Sequence, residues 1–467
     1  MTERISAFTD DALGTLDAVG VAELVRSGAA SPQEVAAAAL ERIARVDPVL
    51  HAVSGDLLPE PRIGADTGAP LYGVPFAIKD NTVLAGLPTG MGSEAFRGKP
   101  AAKDDIVTQQ LLSSGVTVVG KTRLPEFGFN ASTEFRSEPA CVNPWNTDYS
   151  VGASSGGSAA LVASGALPIA HANDGGGSIR IPAAAAGLVG LKPTRGRHRD
   201  GDTAKHLPIN IISEGVLTRS VRDTAAYFAA AEDFWRNPAL PPVGLVLGPA
   251  KRRLRVGLLL ETVDESATVD AQTRAAVENV ARALEAAGHI VEPIALPVSQ
   301  QFADDFLQYW SLTAELATST GKLLLDKSFD STKTDGLTAG LRAAHRKQFT
   351  RTPGALRRLR RATREVAAMY DKRELVLSPV LAHTTPRIGH LSPNQPYEDL
   401  VRNLRAYVAF TPLQNIAGTP AISLPLGVTD DGLPIGVQLS GAHGDERTLL
   451  ETAFELEPEN GFRTLAG

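Results

Sequence analysis

The chain has 467 residues, 43% of them hydrophobic and 21% charged, with a formal net charge of −6. This suits a globular protein of one large domain or two or three ordinary ones, and it excludes a disordered or membrane-embedded chain. A charge that small builds no field to draw in nucleic acid or an anionic membrane, so neither is an expected partner. The single cysteine, Cys141, excludes an internal disulfide framework and reads as a small buried hydrophobe; nine scattered histidines form no H-E-x-x-H or similar pair, so no metal is expected. The sequence opens Met1-Thr2-Glu3-Arg4 without an apolar segment, and no apolar run is long enough to span a bilayer; the expected location is the cytoplasm.

The first element is a helix from Asp17 to Ser27, with Val21, Leu24 and Val25 on one face. Ser31-Pro32-Gln33-Glu34 starts a second: Ser31 caps, Pro32 suits the first turn and Glu34 closes a capping box. Asp47-Pro48 is expected to end it. Short apolar strands then alternate with helices. The expected strands are Val74–Ile78, Val116–Val119, Leu167–Ala172, Leu254–Leu260, Leu375–Leu377, Ala421–Leu426 and Ile435–Gln438, and the helices between them include Asp105–Ser114, Ser220–Glu232 and Asp270–Ala287. Such alternation predicts an α/β architecture with helices packed on a largely buried sheet. The proline-rich stretch Asn237 to Pro249 reads as a linker or surface loop, and residues 300–370 read as helical. That segment ends in Arg357, Arg358, Arg360, Arg361 and Arg364, read as a solvated helix face.

Three motifs compete for the chemistry. Asp174-Gly175-Gly176-Gly177-Ser178 follows an apolar strand and leads into Ile179-Arg180-Ile181-Pro182. Successive glycine amides can form a nest for a negative oxygen, and a serine at its end can attack a carbonyl whose oxygen sits inside. Gly152-Ala153-Ser154-Ser155-Gly156 matches the G-x-S-x-G nucleophile elbow, with His443 as a late candidate base. An elbow needs a strand directly before it, whereas Asn143 to Tyr149 reads as loop, so the match is taken as incidental. Gly115-Val116-Thr117-Val118-Val119-Gly120-Lys121-Thr122 fits the letters of a phosphate-binding P-loop. Its intervening residues form a strand, however, and Pro125 soon follows Lys121, so nucleotide binding is rejected.

Together with Gly73-Val74-Pro75-Phe76-Ala77-Ile78-Lys79-Asp80, Asn143-Pro144-Trp145-Asn146, Gly190-Leu191-Lys192-Pro193-Thr194 and the late segments Gly418 to Pro425 and Gly432 to Gln438, these stretches resemble the amidase-signature family. The resemblance spans roughly residues 15 to 455 and is weakest over 240–370. Near Val189–Arg197 and Glu214–Asp223 the wording resembles members acting on linear or cyclic amides of small acids, including the 6-aminohexanoate cyclic dimer hydrolases. It implies one α/β/α domain over 1–467 with a mixed sheet, N-terminal helices within 1–60 packed on it, and a variable helical substrate-side segment at 295–370. It also implies Lys79 as base, Ser154 as bridging serine, Ser178 as nucleophile, and an oxyanion nest of Gly175, Gly176, Gly177 and Ser178. Ser155, Asp174 and Arg180 match supporting positions, and Phe127, Gly128 and Phe129 match the acyl-pocket wall. A homodimer is compatible with the family. Two positions depart from its pattern: Ala153 replaces the glycine of a cis peptide before the bridging serine, and Arg123 stands where asparagine is frequent beside the acyl pocket.

The chemistry also follows from the residues. A serine hydroxyl attacks only when a base takes its proton. A lysine at the end of an apolar strand, buried and so depressed in pKa, can be that base, and Ser154 can pass the proton. The expected reaction is hydrolysis of an amide of a small or medium-sized substrate to a carboxylate and ammonia or amine, without a cofactor. The rivals are an ammonia-releasing subunit of a glutamyl-tRNA amidotransferase-type complex, an α/β-hydrolase-type esterase using Ser154 and His443, and a catalytically dead scaffold.

Overall fold

The computed structural model describes residues 3–466. Strand β1 (Pro75–Lys79) pairs in parallel with β2 (Thr117–Thr122), and β3 (Val142–Asn143) forms a short ribbon with β4 (Asn146–Ser150). The other strands are β5 (Ile169–Asp174), β6 (Val189–Lys192), β7 (Ser213–Thr218), β8 (Arg255–Leu258), β9 (Ile290–Pro293), β10 (Leu375–Pro379), β11 (Ala421–Val428) and β12 (Pro434–Gly441). They form one eight-stranded sheet in the order β5-β7-β6-β11-β12-β10-β8-β9. Pairing is parallel for β8 with β9 and β10, and antiparallel for β12 with β10 and β11, so the sheet is mixed. Strands β5, β6 and β7 are buried along their whole length because helices cover the sheet. Helices Val221–Phe234, Ala271–Ala286 and Glu446–Leu456 pack together and onto the strands, and Arg180–Ala186 lies against β6, β11 and β12. The result is a single α/β domain with a large mixed sheet flanked by helices.

The N-terminal helices form as their start signals dictate. Asp17 caps Ala18–Arg26, and Ser31 with Glu34 makes the full capping box of Pro32–Leu50. Asp47-Pro48 does not end that helix. It runs two residues past Pro48 and stops at His51, which takes a left-handed conformation. A proline in the last turn removes only one amide from the ladder, and the Asp47 carboxylate gathers the amides of Ala52 and Val53 that follow.

Residues 300–370 form three helices, Gln301–Leu324, Gly336–Gln348 and Thr352–Ala367, the first packed against both others. Arg357, Arg358, Arg360, Arg361 and Arg364 lie on the solvent side of the third, while Ala355, Leu359, Ala362 and Val366 face inward. The stretch Asn237 to Pro249 is a surface loop tied down at both sides: Glu232 accepts the amides of Val243 and Gly244, and Arg197 donates to the Pro241 carbonyl. No described helix is long and apolar enough to cross a membrane.

Candidate active site

The site forms where β1 meets β5. All five residues of β1 are buried, which places Lys79 in the interior with no exposed surface. Alternation along β5 puts His171 and Asn173 on the side facing β1. His171 Nδ1 accepts the Lys79 amide at 3.3 Å, and its Nε2 lies 2.9 Å from the Glu214 carboxylate on β7. Lys79 Nζ donates to Ser154 Oγ at 2.7 Å and to Asn173 Oδ1 at 2.8 Å. Asn173 is fixed in turn by reciprocal bonds with the Asn81 amide at 3.1 and 3.2 Å. Burial lowers the Lys79 pKa to about 7, against the opposing pull of the Glu214 and Asp174 carboxylates. The amine is therefore poised to gain or lose a proton near neutrality.

Ser154 sits just ahead of the helix Gly156–Ala163, after a cis Ala153–Ser154 peptide, and Ala153 is fully buried. Ser155 Oγ donates to the Ser178 carbonyl at 2.6 Å and ties the two serine segments together. Ser154 and Ser178 border one cavity, but no direct hydrogen bond joins their hydroxyls in this structure.

The glycine run ahead of Ser178 is shaped by Asp174. Its carboxylate accepts the amides of Gly177 at 2.8 Å and Ile179 at 3.1 Å, and it pairs with the fully buried Arg180 through Nε and a terminal nitrogen, each at 3.0 Å. Burial opposes the Asp174 charge, but the Arg180 guanidinium holds its pKa well below the usual carboxylate range. Arg180 is saturated by Gln414, Gln438, Asn415 and the Thr411 carbonyl. Gly177 has φ +136°, and a Cβ there would run into Thr411 Oγ1, so only glycine fits.

This geometry changes the expected nest. The Gly177 amide points to Asp174 and not to the cavity. The amides of Gly175, Gly176 and Ser178 bond no protein acceptor among the described residues, which leaves three donors. Phe127, Gly128 and Phe129 do border the cavity at Ser154 and Ser178. Arg123 does not; its guanidinium stacks on Phe135 at 3.8 Å, pairs with Glu138 and borders a separate polar cavity with Asp80 and Asp335. An ion partner and an aromatic face turn it away from the acyl-pocket position expected for it.

The elbow motif needs a correction too. Asn146–Ser150 is a strand, not a loop, because it pairs with Val142–Asn143 around the Pro144–Trp145 turn. That ribbon lies outside the eight-stranded sheet. His443 follows β12, with Glu446, Arg195, Lys192 and Arg197 as its charged neighbours, and it borders neither cavity at Ser178. Lys121 of the P-loop look-alike lies in β2 and pairs with Asp80 at 2.6 Å. Asn81, Asn173, His171 and Glu214 were missed from sequence; polar residues inside the otherwise apolar strand Ile169–Asp174 were the available signal for two of them.

The Amidase family profile matches residues 34–450. A Mycobacterium leprae protein bearing the amidase name AmiC is 46% identical, covering 97% of this chain and 97% of its own length. The 6-aminohexanoate-cyclic-dimer hydrolase of Paenarthrobacter ureafaciens is 34% identical, with 94% of each chain covered. A solved structure of a 6-aminohexanoate cyclic dimer hydrolase superposes with a TM-score of 0.83 at 30% identity, covering 96% of this chain and 97% of that one. The chain belongs to the amidase-signature family, hydrolases that act on amide carbon–nitrogen bonds.

Proposed function

We propose that this amidase works through an acyl-enzyme on Ser178, with Ser154 as proton bridge and Lys79 as base. The observation that carries the reading is the buried Lys79 Nζ, 2.7 Å from the Oγ of Ser154, which borders the same cavity as Ser178. A neutral Lys79 keeps its bond to Asn173 Oδ1 and offers a lone pair to the Ser154 proton. Ser154 then takes the Ser178 proton as Ser178 Oγ attacks the amide carbonyl. The amides of Gly175, Gly176 and Ser178 meet the resulting oxyanion. As the C–N bond breaks, the proton returns from Lys79 through Ser154 to the leaving nitrogen. Water, deprotonated by the same relay, cleaves the ester, freeing the carboxylate and restoring Ser178. The Ser154–Ser178 bond absent here forms when substrate closes the cavity, since such bonds tighten on complex formation. No cofactor takes part in these steps.

The test is covalent trapping. A small alkyl fluorophosphonate should label Ser178 and no other residue, as read by peptide mass spectrometry, and Ser178→Ala should abolish labelling. A label on Ser154 would instead support the esterase reading.

A further inference from the structure

Two cavities meet at Ser178. The larger, about 570 Å³, is also bordered by Ser154, Asn173, Gly175 and Leu316. The smaller, about 110 Å³, is also bordered by Gly176, Ile181, Phe306, Leu337 and Leu341. Trp310 borders both and stands as the partition. Its Nε1 donates to the Phe129 carbonyl at 3.1 Å, its ring stacks on Phe306 at 5.5 Å and meets Phe129 edge-on at 5.6 Å. The indole lies 3.5 Å from where a Cβ on Gly176 would sit, so it abuts the nest itself. Phe302, Phe306 and Trp310 recur every fourth residue on Gln301–Leu324, which builds the partition into one helix face.

The charged side chains on these walls are matched. Asp202 in the larger cavity pairs with Lys205, and Asp264 in the smaller pairs with Arg405, which also reaches Asp304 at 2.8 Å. Asp202 and His206 stand on the larger cavity's wall with Asp202 85% exposed, whereas the walls at Trp310, Phe306 and Leu316 carry no charge, so a charged substrate group seated there would lose water without gaining a partner.

We propose that the substrate is an uncharged N-substituted carboxamide with an apolar group on each side of the scissile bond: a short acyl arm in the smaller cavity and a bulkier amine arm in the larger. This rests on the Ser178 acyl-enzyme reading. The leaving nitrogen takes its proton from Ser154, and Ser154 borders only the larger cavity. The amine arm therefore lies there, and the acyl arm left on Ser178 lies across the partition; Gly128 and Phe129 border both cavities, whereas Phe127 borders only the larger one and so leaves the acyl-pocket wall that the resemblance implies. At about 110 Å³ against about 570 Å³, the acyl side has the less room, which suits a short alkyl chain. A primary amide leaves the larger cavity unfilled, which separates this substrate class from that of an ammonia-releasing subunit.

The test compares two series on the purified full chain: anilides with acyl arms from acetyl to decanoyl, and butyramides with amines from ammonia to naphthylamine. The value of kcat/KM should rise about ten-fold or more from butyramide to butyranilide, and fall about ten-fold or more once the acyl arm outgrows the smaller cavity. A carboxylate on the aniline ring should cost a similar factor. Phe306→Ala should move the acyl optimum to longer chains, and the wild-type series stands alone if that variant does not fold. Tolerance of long acyl arms with rejection of bulky amines overturns the assignment, as does a preference for primary amides. Fluorophosphonate labelling separates the layers: Ser178 labelled with a flat panel sinks only the two-cavity proposal, whereas no label on Ser178 sinks the acyl-enzyme reading beneath it.

Discussion

Lys79 ends β1 and Lys121 is the next-to-last residue of its parallel neighbour β2, with Ile78 in register with Lys121 and Lys79 with Thr122. Both lysines are buried, and burial lowers the pKa of both. Their surroundings then diverge. Lys121 meets the Asp80 carboxylate at 2.6 Å, which favours its charged form. Lys79 meets only neutral oxygens, the Ser154 hydroxyl and the Asn173 amide, and falls to about 7. Lys192 sharpens the contrast: burial, then repulsion from Arg180, also brings it to about 7, yet among the described residues its Nζ donates only to the Pro193 carbonyl. Burial thus brings a lysine's pKa down toward neutrality and a touching carboxylate opposes that shift; contact with a hydroxyl is what would let such a lysine serve as a base.

The largest expected effect is on Lys79. Lys79→Met should cost about 10³-fold or more in kcat/KM, the scale of a lost triad member, and remove the acid limb expected of wild type near pH 7. The same variant tests the stability side. A lysine at about 7 folded and 10.5 unfolded carries its full folding penalty at and below pH 7, and sheds it as pH rises toward 10.5. Wild type should therefore gain on Lys79→Met between pH 7 and 10, as read by melting temperature. Retained activity with an unchanged acid limb would make Lys79 structural and defeat the mechanism.

Lys121→Met should break the comparison from the other side. It strands Asp80 beside Ser54 and the Gly90 amide, and breaking a buried pair costs about 3–5 kcal/mol. The melting temperature should drop while the surviving enzyme keeps its acid limb. A third variant would make the first lysine resemble the second. Asn173→Asp sets a carboxylate against Lys79, so the acid limb should move up by about 1–3 pH units, leaving less active enzyme at neutrality. An unmoved limb would show that it reports some other group. The smallest effect is expected for His443→Ala, within about three-fold of wild-type activity; a loss near the triad scale would reinstate histidine as base.

Much of this was legible in advance. Lys79, Ser154 and Ser178 stand in motifs whose glycines and prolines restrict the backbone, so their order and spacing carried over directly. The strand expected at Ala421–Leu426 forms over Ala421–Val428, where apolar Ile422 and Leu424 alternate with Ser423 and Pro425. Val189–Lys192 and Ser213–Thr218, both central to the sheet, did not show in the sequence. The first is only four residues and the second opens Ser-Glu-Gly, since it must carry Glu214 into the network behind Lys79. Arg123 was misplaced for a related reason: position in a motif says where a backbone goes, while Glu138 and Phe135, brought in by another loop, decide where the guanidinium turns. The Gly177 amide was assigned to the wrong acceptor because glycine runs are ambiguous until the carboxylate that folds them is seen.

The Asp174–Arg180 clasp also sets an order of assembly. It is completed by Asn415, 241 positions downstream of Asp174, and by Thr411 and Gln414 beside it. At 5–20 residues per second the ribosome needs roughly 10–50 s to reach them after Asp174 emerges. Through that interval the nascent chain holds Lys79, Ser154 and Ser178, but the clasp beside Ser178 lacks its Thr411, Gln414 and Asn415 partners. A prematurely terminated chain is in the same condition. The clasp is therefore complete only when nearly the whole chain is present, and a chain cut short before Thr411 is expected to lack activity.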